Sequence, residues 1–334
     1  MRVIRVDPHH PDIAAIEEAA RILRAGGLVA FPTETVYGLG ADARSREAVE
    51  KIYRAKGRPA YNPVIVHVAD VGVVHHVVSE WPERAMRLAE ELWPGPLTMV
   101  LPRRPEVPHV VSAGLSTVAV RVPAHPVAHA LLTAAAIPVA APSANRSTML
   151  SPTTGAHVVK SLGGEIDLVL DAGPAPVGIE STVIDLTTPV PTILRPGTIS
   201  RDRLESIIGR VDTIAARGTL AGDAPRAAPG MLDRHYAPRA RVMLVARSRD
   251  ATRGLIERLR REGAAVGALT FEDVDDPAPT IVRMPNDPAA YASKLFDALH
   301  RVDDEGCDVV IVERVPEGAA WDGVRDRLER AAAP

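Results

Sequence analysis

Leu28-Val29-Ala30-Phe31-Pro32-Thr33-Glu34-Thr35-Val36-Tyr37-Gly38-Leu39-Gly40 is a short apolar run, cut off by a proline and followed at once by hydroxyls, a carboxylate and glycines. An apolar run of this length ended by proline describes a buried strand. Ligand sites of α/β proteins favour loops at strand ends. A tight turn whose hydroxyls satisfy local backbone groups explains the same residues equally well.

Helical periodicity flanks this strand on both sides. Ile13, Ile16, Ala20 and Leu23 recur at helical spacing over residues 11–25, which Gly26-Gly27 ends. Residues 45–56 read as a second helix, with Ser45 as N-cap and Gly57 as stop. Further helices are expected over 82–92, 126–136, 153–162 and 199–208, and strands over 64–68, 97–101, 118–122, 137–141, 166–171 and 181–186. The alternation is irregular and broken by prolines, which predicts a mixed sheet with helices packed on it. Residues 215–229 are rich in Ala, Gly, Pro and Arg without a period and read as linker. Beyond it, strands at 242–245, 265–269, 280–283 and 309–312 alternate with helices at 251–261, 288–302 and 320–331, a small Rossmann-like α/β unit. The expected division is 1–211, a linker over 212–240, and 241–334.

The 334 residues are 46% hydrophobic and 24% charged, with 3% aromatics and a formal net charge of −3. Two domains and cores of Val, Leu, Ile and Ala follow. A net negative chain does not coat nucleic acid through bulk charge. The single cysteine, Cys307, excludes an intramolecular disulfide and a Cys-rich zinc site and reads as a buried strand residue. The first residues lack an apolar signal segment and no run is long enough to span a bilayer, so a cytoplasmic location is the expectation.

Three more clusters accompany the first loop. Lys56-Gly57-Arg58-Pro59 precedes Asn62-Pro63 and His67. Cations complement a helix C-terminus, but two of them around a glycine also present donors suited to phosphate or carboxylate. Ala140-Ala141-Pro142-Ser143-Ala144-Asn145 again follows a strand, and Ser151-Pro152 is expected to start a helix whose N-terminus attracts anions. Arg121 lies inside an apolar strand and needs a partner there, either a bound anion or Glu180, Asp171 or Asp185. Metal-ligand spacing, a Gly-x-Ser-x-Gly elbow and a Walker-type loop are missing from the sequence. The inventory of cations, hydroxyls and small residues suits polyanion binding and activation by positioning. An RNA-binding module gripping a phosphate backbone with Lys56, Arg58, Arg121 and Arg195 is the alternative.

Residues 31–40, Lys56-Gly57-Arg58-Pro59, Asn62-Pro63, Trp93-Pro94-Gly95-Pro96-Leu97-Thr98, Val120-Arg121-Val122-Pro123, Ala141-Pro142-Ser143-Ala144-Asn145, Glu180-Ser181-Thr182 and Leu194-Arg195-Pro196-Gly197 resemble, in order, the motifs of the YrdC-like L-threonylcarbamoyladenylate synthases. Ala228-Pro229-Gly230-Met231 through His235-Tyr236-Ala237-Pro238 resembles the linker of the long two-domain form, which lies over the active site. The resemblance implies a twisted mixed-sheet domain with a concave site. It implies conversion of L-threonine, bicarbonate and ATP to threonylcarbamoyl-AMP and pyrophosphate, with Mg²⁺ accompanying ATP and no protein metal site. The product feeds a separate tRNA threonylcarbamoyl transferase, and weak tRNA binding is a further expectation. Lys56 and Arg58 are expected on the phosphates as the catalytic cations. Asn62, Thr117, Ser143, Asn145, Ser151, Arg195, His235 and Tyr236 complete the expected ATP site, while Thr35, His67, Arg121, Ala141 and Ser181 are expected around threonine. One departure stands out: the Asn-Arg pair that precedes the end of the two-domain form is not found in residues 316–326.

Overall fold

The structure, a computed structural model, describes residues 1–214, 235–276 and 280–334. The body of the expected linker, 215–234, therefore lies outside the described residues. The chain runs through β1 (Arg2–Arg5), α1 (Ile13–Arg24), β2 (Val29–Phe31), β3 (Gly38–Asp42), α2 (Arg46–Lys56), β4 (Ile65–His67), α3 (Val71–Val74), α4 (Glu83–Leu92) and β5 (Leu97–Pro102). It continues with β6 (Thr117–Arg121), α5 (Pro126–Ala135), β7 (Val139–Ala140), α6 (Gly155–Leu162), β8 (Leu168–Asp171), β9 (Thr182–Asp185), β10 (Thr192–Arg195), α7 (Arg201–Ile208) and β11 (Asp212–Thr213). The second unit comprises β12 (Arg241–Val245), α8 (Arg249–Arg261), β13 (Val266–Thr270), β14 (Ile281–Arg283), α9 (Pro288–Asp304), β15 (Val309–Glu313) and α10 (Asp322–Ala332).

The larger sheet has eleven strands in the order β1-β8-β2-β3-β7-β4-β6-β5-β9-β10-β11. Parallel pairs such as β4–β6 and β5–β9 alternate with antiparallel ones such as β2–β3 and β5–β6. This is the mixed sheet that the irregular alternation predicts. Helix α1 buries Ala15, Ile16, Ala19, Ala20 and Leu23 in one core with Val127, Leu131 and Leu132 of α5. Helix α2 buries Ala48, Val49 and Ile52 in the other. Ser45 caps α2 and Gly57 ends it in the left-handed conformation, as expected. The second unit is a four-stranded, fully parallel sheet, β12-β15-β13-β14, with α9 and α10 in one apolar core and α8 in another.

Two local readings change. Strand β3 reads as loop because two of its five residues are glycine. A Cβ on Gly40 would stand 2.9 Å from the Phe31 ring and 3.0 Å from Val139 Cγ1, so packing across the sheet excludes a larger residue. Helix α6 does not start at Ser151-Pro152. The Pro152 carbonyl accepts from the Tyr37 amide and the Thr153 carbonyl from the Ala175 amide. Those bonds hold the segment extended until Thr154 caps the helix by accepting from the His157 amide.

Candidate active site

The β4–β6 register places His67 directly beside Arg121 at the strand ends. Arg121 is 3% exposed; its Nε donates to the Gly95 carbonyl (3.1 Å) and its Nη1 to Thr35 Oγ1 (2.9 Å). Its Nη2 lies 2.6 Å from Glu34 Oε1, an ion pair without the alignment of a hydrogen bond. The buried partner of Arg121 is thus Glu34, from the opening loop, and none of the three carboxylates expected from sequence. Position in the loop decides this: Glu34 follows β2 directly, whereas Glu180 is taken by Arg327. Burial, reinforced by Arg121, pushes the His67 imidazole down to about 3, so it is neutral at neutral pH. Ser181 Oγ shares a hydrogen bond with Thr98 Oγ1 (2.8 Å) and accepts from Arg195 Nη2 (3.1 Å).

A second group of cations adjoins this corner. Arg58 spends Nε on the Asn62 carbonyl (2.9 Å) and Nη2 on Asn62 Oδ1 (2.7 Å) and the Pro63 carbonyl (2.6 Å), and its guanidinium, beside the Tyr53 phenol, lines the cavity. Burial, with Arg195 nearby, lowers Arg58 to about 10. Lys56 donates to the carbonyls of Ser143 (2.6 Å) and Asn145, tying the end of α2 to the loop after β7. Burial and then Arg58 hold its ammonium well below the usual lysine range. His235 is pushed down by burial and then by Arg58, Lys56, Arg195 and Arg327. A histidine facing four cations marks a place built for negative charge.

Arg58, Ser143, Arg195, His235, Tyr236, Thr35, His67, Arg121, Ala141 and Ser181 line one cavity of about 40 Å³, together with Thr33, Val36 and Glu180. Lys56, Asn62, Asn145 and Ser151 stand behind that lining. Asn145 Nδ2 donates to the Arg146 and Met149 carbonyls (both 2.8 Å), and Ser151 Oγ donates to Glu180. Thr117 begins β6, opposite Pro102, four residues before Arg121 on the same strand face and outside the closed cavity. Between them Ala119 packs in an apolar cluster with Ile65, Val100, Val183 and Leu194, of which Ile65 lines the cavity. A larger hollow of about 930 Å³ lies elsewhere, lined by Arg44, Asp70, His75, Arg104 and Leu132 among others. It holds none of the buried polar atoms that lack a partner, whereas Glu34, Asn62, His67, Asn145 and His235 all contribute such atoms in or beside the smaller cavity. Buried polar groups are normally hydrogen-bonded, so this cluster makes the smaller cavity the candidate for a polar ligand or bound water.

Sequence reasoning gives no role to Glu34, Thr98 or Arg327. Arg327 carries a signal: it shares a helical stripe with Val324, Leu328 and Ala331, all buried. Asp326-Arg327 also lies at the end of the stretch that lacks the Asn-Arg pair; an arginine is there, and a carboxylate precedes it.

Among the described residues, a buried cationic pocket abuts a corner suited to a small carboxylate, and neither a metal-holding cluster of His, Cys, Asp or Glu nor a helix long and apolar enough to cross a membrane occurs. The cationic pocket and the carboxylate corner together suit a polyanion bound beside a small carboxylic acid. The chain belongs to the family whose model, described as "Telomere recombination", matches residues 21–197, and residues 199–333 match "Threonylcarbamoyl-AMP synthase, C-terminal domain". It is 44% identical to threonylcarbamoyl-AMP synthase of Pyrococcus abyssi over 95% of this chain and 94% of that one. It is 40% identical to threonylcarbamoyl-AMP synthase of Bacillus subtilis over 95% of this chain and 92% of that one. Sua5 of P. abyssi solved with L-threonine superposes with a TM-score of 0.92 at 42% identity, covering 99% of this chain and 98% of the other.

Proposed function

We propose that the chain is an L-threonylcarbamoyladenylate synthase, a nucleotidyltransferase that makes threonylcarbamoyl-AMP and pyrophosphate from L-threonine, bicarbonate and ATP. One observation carries the chemistry: Arg58, Arg195 and Lys56 cluster around His235 within a few residues' reach of the Arg121–Thr35–His67–Ser181 corner. In this reading the threonine carboxylate meets the Arg121 fork. Its amine condenses with bicarbonate, losing water, to give a carbamate, and a carbamate oxygen attacks the α-phosphorus of ATP while the bond to the oxygen bridging to the β-phosphorus breaks. Arg58 and Lys56 spread the charge that develops as pyrophosphate leaves. A carbamate is already anionic, so the attack needs no general base.

The two carboxylates by the cavity, Glu34 and Glu180, are both ion-paired to arginines. Magnesium therefore fits as a companion of the triphosphate rather than as a protein-held ion. About 40 Å³ is far below the ~300 Å³ and more of a nucleotide-sized pocket, so ATP binding in this reading requires the cavity to widen, with the nucleoside toward Thr117. The product is a reactive mixed anhydride, which a tRNA threonylcarbamoyl transferase consumes; weak tRNA binding and a cytoplasmic location accord with that role. The RNA-grip alternative is not favoured, because Lys56, Arg58, Arg121 and Arg195 are all under 9% exposed and out of reach of a phosphodiester backbone. Incubation with threonine, bicarbonate, MgCl₂ and ATP is expected to release pyrophosphate only when threonine is present. Release that ignores threonine contradicts the reading.

A further inference from the structure

Arg327 has the largest fully buried side chain among the described residues, and it belongs to the second unit. Its acceptors at Glu180 and Pro196 belong to the first. Nε donates to Glu180 Oε2 (2.7 Å), Nη2 to the Glu180 carbonyl (3.2 Å) and Nη1 to the Pro196 carbonyl (2.8 Å). The guanidinium also lies 5.0 Å from the centre of the Tyr236 ring, and Asp326 Oδ2 is 2.7 Å from Nη1. One fork thus touches the residue before Ser181, the residue after Arg195, and Tyr236.

The far side of Glu180 completes a chain of contacts. Its Oε1 accepts from the Ser151 hydroxyl, and the Ser151 carbonyl accepts from His300 Nε2 of α9 (3.1 Å). Ser151 is thereby clamped between the two units. Burial alone would raise the Glu180 carboxyl, but Arg327, Arg195 and the Ser151 hydroxyl outweigh it and hold it below the usual carboxylate range. Glu180 lines the cavity. An uncompensated carboxylate there would repel a triphosphate, and a mobile one would loosen Ser181 and Tyr236 together.

We propose that Arg327 is a positioning residue for the active site, acting through Glu180: it cancels that carboxylate and fixes the 180–181 and 195–197 segments and the Tyr236 ring for nucleotide binding. The second unit, in this view, is a brace in which the Arg327 guanidinium is the contact that tunes the cavity. The proposal rests on the synthase reading above. It differs from simple domain adhesion, because adhesion needs buried charge compensated but does not need a planar fork.

The experiment uses the full chain carrying Arg327→Lys, Glu180→Gln, and both together, with folding checked by thermal melting. Kinetics are followed by threonine-dependent pyrophosphate release and ATP binding by calorimetry. Arg327→Lys keeps the charge and loses the fork; the expected result is a folded protein whose KM and Kd for ATP rise at least tenfold, with the KM for threonine changed less than threefold. The double variant is expected to be no worse than the poorer single variant, since both act on one contact. A folded Arg327→Lys protein whose ATP parameters match the parent within twofold overturns the proposal, as do additive losses in the double variant. If Arg327→Lys alone unfolds the chain, the double variant decides: a refolded chain with parental ATP affinity overturns the proposal, and one with weakened affinity supports it. Lack of threonine-dependent release by the parent counts against the synthase reading instead, and ATP affinity still judges Arg327.

Discussion

Glu34 and Arg121 form a buried ion pair, 2.6 Å from Oε1 to Nη2, inside the corner where a substrate carboxylate is expected. A buried pair contributes little net stability, but removing one partner costs about 3–5 kcal/mol because the other charge is left uncompensated. Arg121→Lys keeps the compensation and loses the fork that also reaches Thr35. The loss of one charge-assisted bond, ~1.5–3 kcal/mol, is about a ten- to hundredfold change. The KM for threonine is expected to rise by that factor while the KM for ATP stays within threefold. Steady-state kinetics with each substrate varied in turn check this; equal rises in both would place Arg121 outside the threonine corner.

Lys56 is a strut through its bonds to the Ser143 and Asn145 carbonyls, and the synthase reading gives it a second, phosphate-binding duty. Lys56→Met leaves two carbonyls without a donor, at ~1–3 kcal/mol for each buried group left unsatisfied. The melting temperature should fall, and ATP affinity by calorimetry should weaken at least tenfold. A variant that melts earlier yet binds ATP like the parent would reduce Lys56 to the strut alone.

Much of this arrangement is legible in the sequence, and the gaps have physical causes. Amphipathic helices such as α1 and α2 announce themselves by their period; Ser45 accepts from the amide three residues on, as its position predicts, whereas Asp12, inside the helix read over 11–25, is the cap of α1. Strand β3 is hidden because close packing under Phe31 requires glycine where propensity expects β-branched residues. The edge strands β1 and β11 escape notice too, being short and either largely exposed or half-buried, which leaves a weak apolar signal. At the site, the loops are visible as clusters of cations and hydroxyls, but their partners are not. Glu34 sits 87 residues from Arg121, and Glu180 sits 147 from Arg327. The strand order of the larger sheet, which sets the loop after β2 beside the end of β6, and the docking of α10 bring such residues together.

Acid should destabilise the protein through histidines buried in the neutral state. His67, beside Arg121, and His300, facing His157, Lys160 and Asp303, are both pushed down to about 3, burial being the first cause. An unfolded histidine titrates near ~6.5. Between those values the unfolded chain binds more protons, so stability is full above pH ~6.5 and declines as pH falls toward 3. Melting temperatures across pH 8 to 4 are expected to be flat at first and then to drop. His67→Gln should shallow the drop; a variant as acid-sensitive as the parent would remove His67 from this account.

Gly323, in α10, sets two effects against each other. Alanine in a helix is favoured over glycine by about 1 kcal/mol, which predicts stabilisation by Gly323→Ala. The structure predicts the opposite. A Cβ there would lie 2.6 Å from the Gly197 carbonyl oxygen and 3.0 Å from its Cα, contacts with backbone that cannot rotate away. The helix would have to lift off the 195–197 segment, drawing Arg327 back from the Pro196 carbonyl and from Glu180. Overpacking of this kind costs ~1–3 kcal/mol, which outweighs the helical gain. Gly323→Ala should therefore lower the melting temperature and weaken ATP binding together, even though it lies outside the cavity lining. A melt shifted upward with unchanged ATP affinity would mean that the two glycines are not in working contact.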